Sequence, residues 1–136
     1  MVQHAFVVPN PEGEVPLRIE PYHLDMYRDD QNLIWKINVP DWGWSKAKAT
    51  AIVIDAGWTG TTPAPIGPPP EDGVLDRRLY VATGPGPIIE GDPQTFVYTA
   101  YVTADKDGAE VNDVAIRGVD ENNAAIDPDI GNQPQP

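Results

Sequence analysis

The sequence predicts an all-β fold: an antiparallel β-sandwich of about seven strands with one long proline-rich loop. The 136 residues include 16 prolines and 12 glycines, which argue against long helices because proline lacks a backbone donor and clashes with the preceding turn. Apolar residues do not recur at helical spacing, whereas short runs alternate apolar and polar residues. Clusters of turn residues separate these runs, as they do in sandwich domains.

The length fits one domain with one hydrophobic core. We predict that the sandwich spans residues 15–130 and follows an N-terminal arm at residues 1–14. The last residues, 131–136, are predicted to form a flexible C-terminal tail.

The first half of the predicted sandwich opens with an alternating run at residues 15–19. The phase of the alternation slips after Pro21, which predicts a bend or bulge on an edge strand before residues 22–26 continue the pattern. A polar turn is predicted at residues 29–32. Residues 33–39 then form the cleanest alternation in the chain, which the proline at position 40 ends.

The middle of the chain is less regular. Residues 41–45 are predicted to form a loop or bulge, and residues 46–55 a central strand that is buried on both faces. Five prolines between residues 57 and 73 exclude both a helix and a central strand, and predict a long extended loop. A short strand is predicted at residues 77–82, followed by an irregular connection at residues 84–87.

The strongest late strand is predicted at residues 95–104, where aromatic and aliphatic residues share one face. Asp107 and Gly108 form a sequence pair typical of a hairpin turn. Residues 111–119 are therefore predicted to return antiparallel to the preceding strand.

Charge and composition exclude several classes of function. Nine basic and 21 acidic residues give a net charge of −12, which repels phosphate backbones and anionic headgroups, so we expect neither nucleic-acid nor membrane-surface binding. The absence of cysteine removes thiolate metal sites and disulfides, and no cofactor motif is present. No apolar run approaches the length of a membrane-spanning helix. The sequence that follows Met1 does not resemble a signal peptide, which favours an intracellular protein.

The residues needed for catalysis do not form a known motif, so the sequence predicts that the protein is not an enzyme. It has one serine, Ser45, and two histidines, His4 and His23, and Ser45 lacks the glycine pattern of a nucleophile elbow. The glycines at residues 84–87 alternate with prolines, which remove the amide donors that a phosphate loop requires.

Metal binding has equally weak support. Residues 105–110 resemble the start of a calcium loop, but glycine is absent from the sixth position and glutamate from the twelfth, so we interpret this segment as a hairpin turn. Asp127 and Asp129 are the remaining candidates for a weak calcium site. We therefore predict no resident metal.

Part of the chain resembles a cupredoxin-like sandwich. Residues 19–24 (IEPYHL), a polar turn, and residues 33–37 (LIWKI) are similar to the opening strands of that family, and residues 96–101 (FVYTAY) to its late aromatic strand. The resemblance implies a two-sheet β-sandwich. It does not imply copper binding, because residues 102–105 contain no cysteine, histidine or methionine. An immunoglobulin-like sandwich fits the same pattern, without its Cys-Trp-Cys signature.

The four tryptophans are the candidates for binding. Trp35 lies on the apolar face of its strand, and we predict that it belongs to the core. Trp42 and Trp44 project to the same side if the chain is extended there, and Trp58 stands at the entrance to the proline-rich loop. Three interpretations of the exposed candidates stay open: they cap the core, they anchor a protein partner, or they stack on sugar rings.

The sequence thus predicts a non-catalytic β-sandwich with a structural or protein-interaction role within a larger assembly. The alternative is a carbohydrate-binding module that uses Trp42, Trp44 and Trp58. The proline spacing at residues 65–68 suits an aromatic groove, although a loop packed on the sandwich explains it equally.

Overall fold

The computed structural model describes residues 2–13, 15–26, 32–71, 75–86, 88–106 and 109–134. The prediction of an all-β protein is confirmed, since these residues form strands and no helix. In chain order the strands are β1 (Val2–Pro9), β2 (Leu17–Glu20), β3 (His23–Met26), β4 (Asn32–Ile37), β5 (Trp42–Trp44), β6 (Ile52–Ile54), β7 (Ala64–Ile66), β8 (Leu79–Thr83), β9 (Gln94–Lys106), β10 (Ala109–Ile116), β11 (Gly118–Val119), β12 (Ala125–Ile126) and β13 (Asp129–Asn132).

The strands form two sheets that enclose the core. One sheet has seven strands in the order β12-β11-β2-β1-β4-β8-β7. Its pairs β1–β4 and β11–β2 are parallel, and the others are antiparallel. The prediction of a purely antiparallel sandwich of about seven strands is therefore wrong in both respects, although the sandwich-like architecture is present.

The second sheet is organised by β9, which is 13 residues long. On one edge, β9 pairs antiparallel with β13 near its start and with β10 further along. On the other edge it pairs with β6 and then with β5. The strand β3 completes the sheet by pairing parallel with β13. Several short strands thus pair with the one long strand β9. The structure therefore has more strands than the sequence has runs of alternating apolar and polar residues.

The termini differ from the predicted boundaries. Residues 2–9 are not an arm, because β1 lies inside the seven-stranded sheet between β2 and β4, with Ala5 and Val7 fully buried. At the other end, Gly131 and Asn132 belong to β13 and are buried, so the predicted tail begins within the second sheet. Residues 5–8 are all apolar and residues 131–132 are glycine and asparagine, so neither segment shows the apolar–polar alternation that predicts a strand.

The middle of the chain needs two corrections. The segment 41–45, predicted as a loop, contains β5, because β9 offers an edge with which Trp42–Trp44 can pair. The predicted central strand at 46–55 reduces to β6, whose Val53 is 42% exposed. Among the described strands, β6 pairs with β9 alone, and its Ile52 is buried while Val53 faces outward.

The proline-rich segment contains the short edge strand β7 at one end of the seven-stranded sheet. Pro65 has no backbone donor, which suits an edge position. Residues 72–74 and the predicted turn residues 29–31, 107 and 108 lie outside the described part of the chain. The antiparallel pairing of β9 with β10 agrees with the predicted return strand.

The predicted bend at Pro21 lies where the chain leaves one sheet for the other. The strand β2 belongs to the seven-stranded sheet and β3 to the second sheet, and the Glu20–Pro21 peptide bond between them is cis. The chain thus contributes apolar residues from both strands to the same core.

The core lies between the two sheets and confirms the predicted alternation of β4. Leu33 and Trp35 are fully buried, and Ile37 is nearly so, whereas Ile34 and Lys36 face outward. Trp35 meets Tyr98 of β9 edge to face, with ring centroids 5.5 Å apart. The other large, fully buried side chains are Trp44, Ile19, Leu24, Met26, Ile52, Ile116, Ile130 and Val7.

Candidate functional site

Two of the three candidate tryptophans are core residues. Trp42 is 7% exposed and Trp44 is fully buried, because the pairing of β5 with β9 turns both indoles into the sandwich. The Trp44 ring meets Tyr80 edge to face at 5.3 Å. Their assignment as exposed binding residues is corrected, and the core-capping interpretation holds for both.

Gly43 explains how the chain closes over these indoles. The backbone of Asp76 runs beside β5, with the Trp44 amide donating to the Asp76 carbonyl at 2.6 Å. A Cβ atom on Gly43 would come within 2.8 Å of Leu75 Cβ and 2.9 Å of the Asp76 carbonyl oxygen. Glycine is therefore required here by close packing of two backbones, and the segment at 75–76 lies against the outer side of β5.

Trp58 is separate from the other two tryptophans. Its indole Nε1 donates to the Thr61 carbonyl at 2.9 Å, and its ring meets Phe96 edge to face at 5.2 Å. It is half-buried and lines a cleft of about 300 Å³ with Asp55 and Thr62, and that cleft includes neither Trp42 nor Trp44. The structure thus does not bring the three indoles together into one platform.

A concave surface larger than the Trp58 cleft lies on the outer face of the seven-stranded sheet. This sheet-face groove has a volume of about 870 Å³. Four strands and residues 67–70 and 75–78 form it. Its lining residues are His4, Phe6, Ile34, Lys36, Ile66, Gly67, Pro68, Pro70, Leu75, Arg77, Arg78 and Leu79.

The floor of the sheet-face groove follows from the register of the strands. Phe6 of β1 pairs with Lys36 of β4, and Leu79 of β8 pairs with Ile66 of β7. The neighbouring pair Trp35 and Tyr80 links β4 to β8, so Lys36 and Leu79 are adjacent across that junction. Phe6, Lys36, Leu79 and Ile66 therefore form one row across four strands, on the face opposite the core.

Most of this row is apolar, although it faces away from the core. Ile66 is 50% exposed, while Phe6 and Leu79 are half-buried. His4 lies two residues before Phe6 on the same face of β1, and its ring stacks on that of Phe6 with centroids 6.0 Å apart. The alternation of a strand with one polar face would place charged or small polar side chains at these positions.

An ion pair between the half-buried Arg78 and the buried Asp76 holds the wall of the groove. Arg78 donates from Nε to Asp76 Oδ1 at 3.1 Å and from Nη2 to Oδ2 at 2.8 Å, and its backbone amide also donates to Oδ1. Burial is the largest single influence on Asp76 and raises its pKa. The hydrogen bonds and charge of Arg78, with a contribution from Lys46, outweigh it, so the net pKa of Asp76 is lowered.

The groove concentrates positive charge on an acidic protein. Lys36, Arg77 and Arg78 are three of only nine basic residues, and no acidic residue is part of the described lining. Among the described residues, Lys36 and Arg77 form no ion pair. The site therefore combines an apolar floor with cations that are available to an anionic partner.

The sequence did not predict this groove, because the predicted binding residues were tryptophans and none of them lines it. One residue could have indicated it: Ile34 is an apolar residue on the outward face of β4, opposite the core residues Leu33 and Trp35. The clustering with Phe6 and Ile66 depends on the parallel pairing of β1 with β4 and on β7, neither of which local patterns predict.

The hydroxyl of the single serine lies in a structural contact. Ser45 is buried, and its Oγ donates to Asp113 Oδ2 at 2.6 Å. His4 lies in the sheet-face groove and His23 on β3, and neither hydrogen-bonds to Ser45. The nucleophile, base and acid of a triad are thus not brought together.

His23 is held between two carboxylates on the second sheet. Its Nδ1 lies 2.5 Å from Asp129 Oδ1 and its Nε2 lies 2.7 Å from Asp25 Oδ1, while Gln133 donates to the same Asp25 oxygen at 2.8 Å. Partial burial is the largest influence and lowers the pKa of His23. The hydrogen bonds and charges of Asp129 and Asp25 outweigh it and raise the net pKa above 6.5.

The two aspartates considered for calcium each contact a basic side chain of the protein. Asp127 pairs with Arg117 at 2.9 Å, and Asp129 pairs with His23. In the described part of the chain, no group of three or more metal-ligating side chains is arranged to hold an ion. The side chains of residues 105–110, where a hairpin turn is predicted, lie outside the described part of the structure.

Comparisons with known proteins give no relative: no family model, no curated protein and no solved structure matches the chain. Within the described residues, no helix has the length and apolar character needed to cross a membrane.

Proposed function

We propose that the protein is a non-catalytic β-sandwich that binds a protein partner through the sheet-face groove. The observation that carries this proposal is the apolar row on the outer face of the seven-stranded sheet, with Ile66 50% exposed. Soluble proteins rarely leave contiguous apolar surface uncovered, and such surfaces mark interaction sites. A binding role of this kind is consistent with the structural or assembly function expected from the sequence.

The shape of the groove favours a chain over a small molecule. A small-molecule site surrounds roughly 70–90% of its ligand, whereas this groove lies along an open sheet face. Its row crosses four strands, and at roughly 4.8 Å per strand the row is about 14 Å long. An extended peptide of several residues can lay its side chains along such a row.

The absence of catalysis remains part of the proposal. It is supported by the contact of Ser45 with Asp113 and by the two carboxylates that flank His23. These arrangements supply neither an activated nucleophile nor a free base.

The other sequence-based expectations stay predictions. Burial of Trp42 and Trp44 leaves the carbohydrate alternative with Trp58 alone, and no second observation favours it. The cupredoxin-like or immunoglobulin-like resemblance, the long proline-rich loop and the avoidance of nucleic acid and membrane surfaces are likewise retained as proposals.

Peptide selection tests the proposed docking surface. A displayed library of random 12-residue peptides is selected on the purified full chain, and the tightest peptides are measured by fluorescence polarisation. We expect Ile66→Asp to weaken binding at least about tenfold, because it places a charge in the apolar row. The matched control is Val53→Asp, an exposed position on the second sheet, which should leave binding unchanged. Selection of no peptide, or equal binding by wild type and Ile66→Asp, overturns the proposal.

A further inference from the structure

We infer that the partner segment bound by the sheet-face groove is an acidic peptide, whose apolar side chains meet the floor and whose carboxylates meet Lys36 and Arg77. This inference rests on the proposed function and specifies the partner's chemistry. It is argued from the position of the cations, the pairing of Arg78 and the charge of the whole protein.

Lys36 lies within the apolar row instead of at its margin. It stands between Phe6 and Leu79 in the register of the strands. A neutral apolar occupant laid along the row would remove water from this ammonium group and give it no partner, which is costly. A segment that carries a carboxylate next to an apolar side chain can pair with the Lys36 ammonium group and cover the apolar floor at the same time. The row therefore favours a partner that is both acidic and apolar.

The two arginines on the wall differ in their roles. Arg78 is already paired with Asp76, which is 5% exposed, so its charge is largely compensated within the protein. Arg77 is exposed, and the described residues offer it no carboxylate. The ordered Arg78 shapes the wall, while Arg77 and Lys36 supply the uncompensated charge that recognises an anion.

The charge of the whole protein separates a peptide from the other acidic occupants. A second copy of the chain would bring another net charge of −12 to the interface, and an anionic bilayer would face a protein of the same net sign. A short acidic segment contacts only the cations of the groove. At physiological ionic strength, charges beyond roughly 8 Å are largely screened, so the local sign decides.

Charge reversal on the selected peptides tests this inference. We expect the peptides to be rich in aspartate, glutamate and large apolar residues. The double variant Lys36→Glu and Arg77→Glu should weaken their binding at least about tenfold, and the wild-type affinity should fall as sodium chloride is raised. Lys48→Glu, a charge reversal outside the groove, should leave the affinity unchanged. A peptide with its acids replaced by lysines should bind the double variant better than the wild type.

The contrary results separate the two proposals. Peptides that depend on Ile66 but are neutral or basic, and that bind the double variant like wild type, overturn the acidic partner and leave the docking surface standing. Peptides that do not depend on Ile66 overturn both. Vesicles of phosphatidylglycerol that bind the wild type and not the double variant, with no peptide selected, would assign the groove to a lipid surface and overturn both proposals. Concentration-dependent dimers lost in Ile66→Asp would instead identify a second copy as the occupant.

Discussion

Replacement of Trp44 by alanine tests whether this indole holds the sandwich together. The side chain is fully buried, contacts Tyr80 edge to face and lies on β5 against the long strand β9. A buried tryptophan covers roughly 150–250 Å², which at about 25 cal/mol per Å² corresponds to about 4–6 kcal/mol. Partial collapse of the site reduces this, so we expect Trp44→Ala to cost about 3–5 kcal/mol.

Trp44→Phe separates packing from the indole nitrogen. Trp44 Nε1 is buried and has no hydrogen-bond partner, so its removal leaves no new polar group unsatisfied. Phenylalanine also retains an aromatic ring beside Tyr80. We therefore expect Trp44→Phe to cost about 1–2 kcal/mol, clearly less than alanine.

Urea unfolding followed by far-ultraviolet circular dichroism measures both changes without relying on the altered fluorophore. With a slope of about 1–3 kcal/mol/M, a loss of about 4 kcal/mol moves the midpoint by more than about 1 M. Ile89→Ala, at a residue that is 83% exposed, is the control and should change stability by less than about 0.5 kcal/mol. If Trp44→Ala unfolds at the wild-type midpoint with an unchanged slope, its assignment to the core is refuted.

Two further predictions concern pH. Asp129 and Asp25 raise the pKa of His23, so the contribution of His23 to the free energy of unfolding is present below about pH 6.5 and is lost as pH rises through the raised pKa. Urea unfolding at pH 6 and 9 should show this loss of stability. In His23→Gln the difference in stability between the two pH values should be smaller. Arg78 lowers the pKa of Asp76, so the contribution of Asp76 to the free energy of unfolding is present above about pH 3.9 and is lost as pH falls through the lowered pKa. Asp76→Asn should therefore be less stable than wild type at pH 7 and should show a shallower acid transition. An unchanged acid transition would contradict the pairing.

The strands with regular alternation could be predicted from the sequence. In β4 the period of two places Leu33, Trp35 and Ile37 on the buried face, and the structure confirms this. The slip of phase at Pro21 likewise predicted a bend, and the chain does change sheets there. In each case the pattern is local, and burial on one face is enough to produce it.

The strands that depend on a partner could not be predicted. The three residues of β5 form a strand because the 13-residue β9 extends beyond its pairing with β6 and leaves an edge free for them. Tertiary pairing thus overrides the loop signal of Gly43. The N-terminal strand β1 is similar, since its place between β2 and β4 depends on a parallel pairing across some 30 residues of chain.

The candidate site was missed for the same reason. Trp42 and Trp44 were predicted as binding residues because exposed tryptophans often bind ligands, but the pairing of β5 with β9 buries both side chains. The groove residues Phe6 and Ile66 are far apart in sequence and meet only through the order of four strands. A surface made by sheet topology leaves no motif in the sequence.

Chemical-shift mapping tests the central claim most directly, because it locates the binding surface on the intact protein. The tightest selected peptide is titrated into ¹⁵N-labelled protein, and the backbone amide signals are followed. The largest shifts are predicted at His4, Phe6, Ile66 and Arg77, with little change around Trp58. Shifts centred on Trp58 and its cleft, with the amides of the sheet-face groove unmoved, would contradict the account.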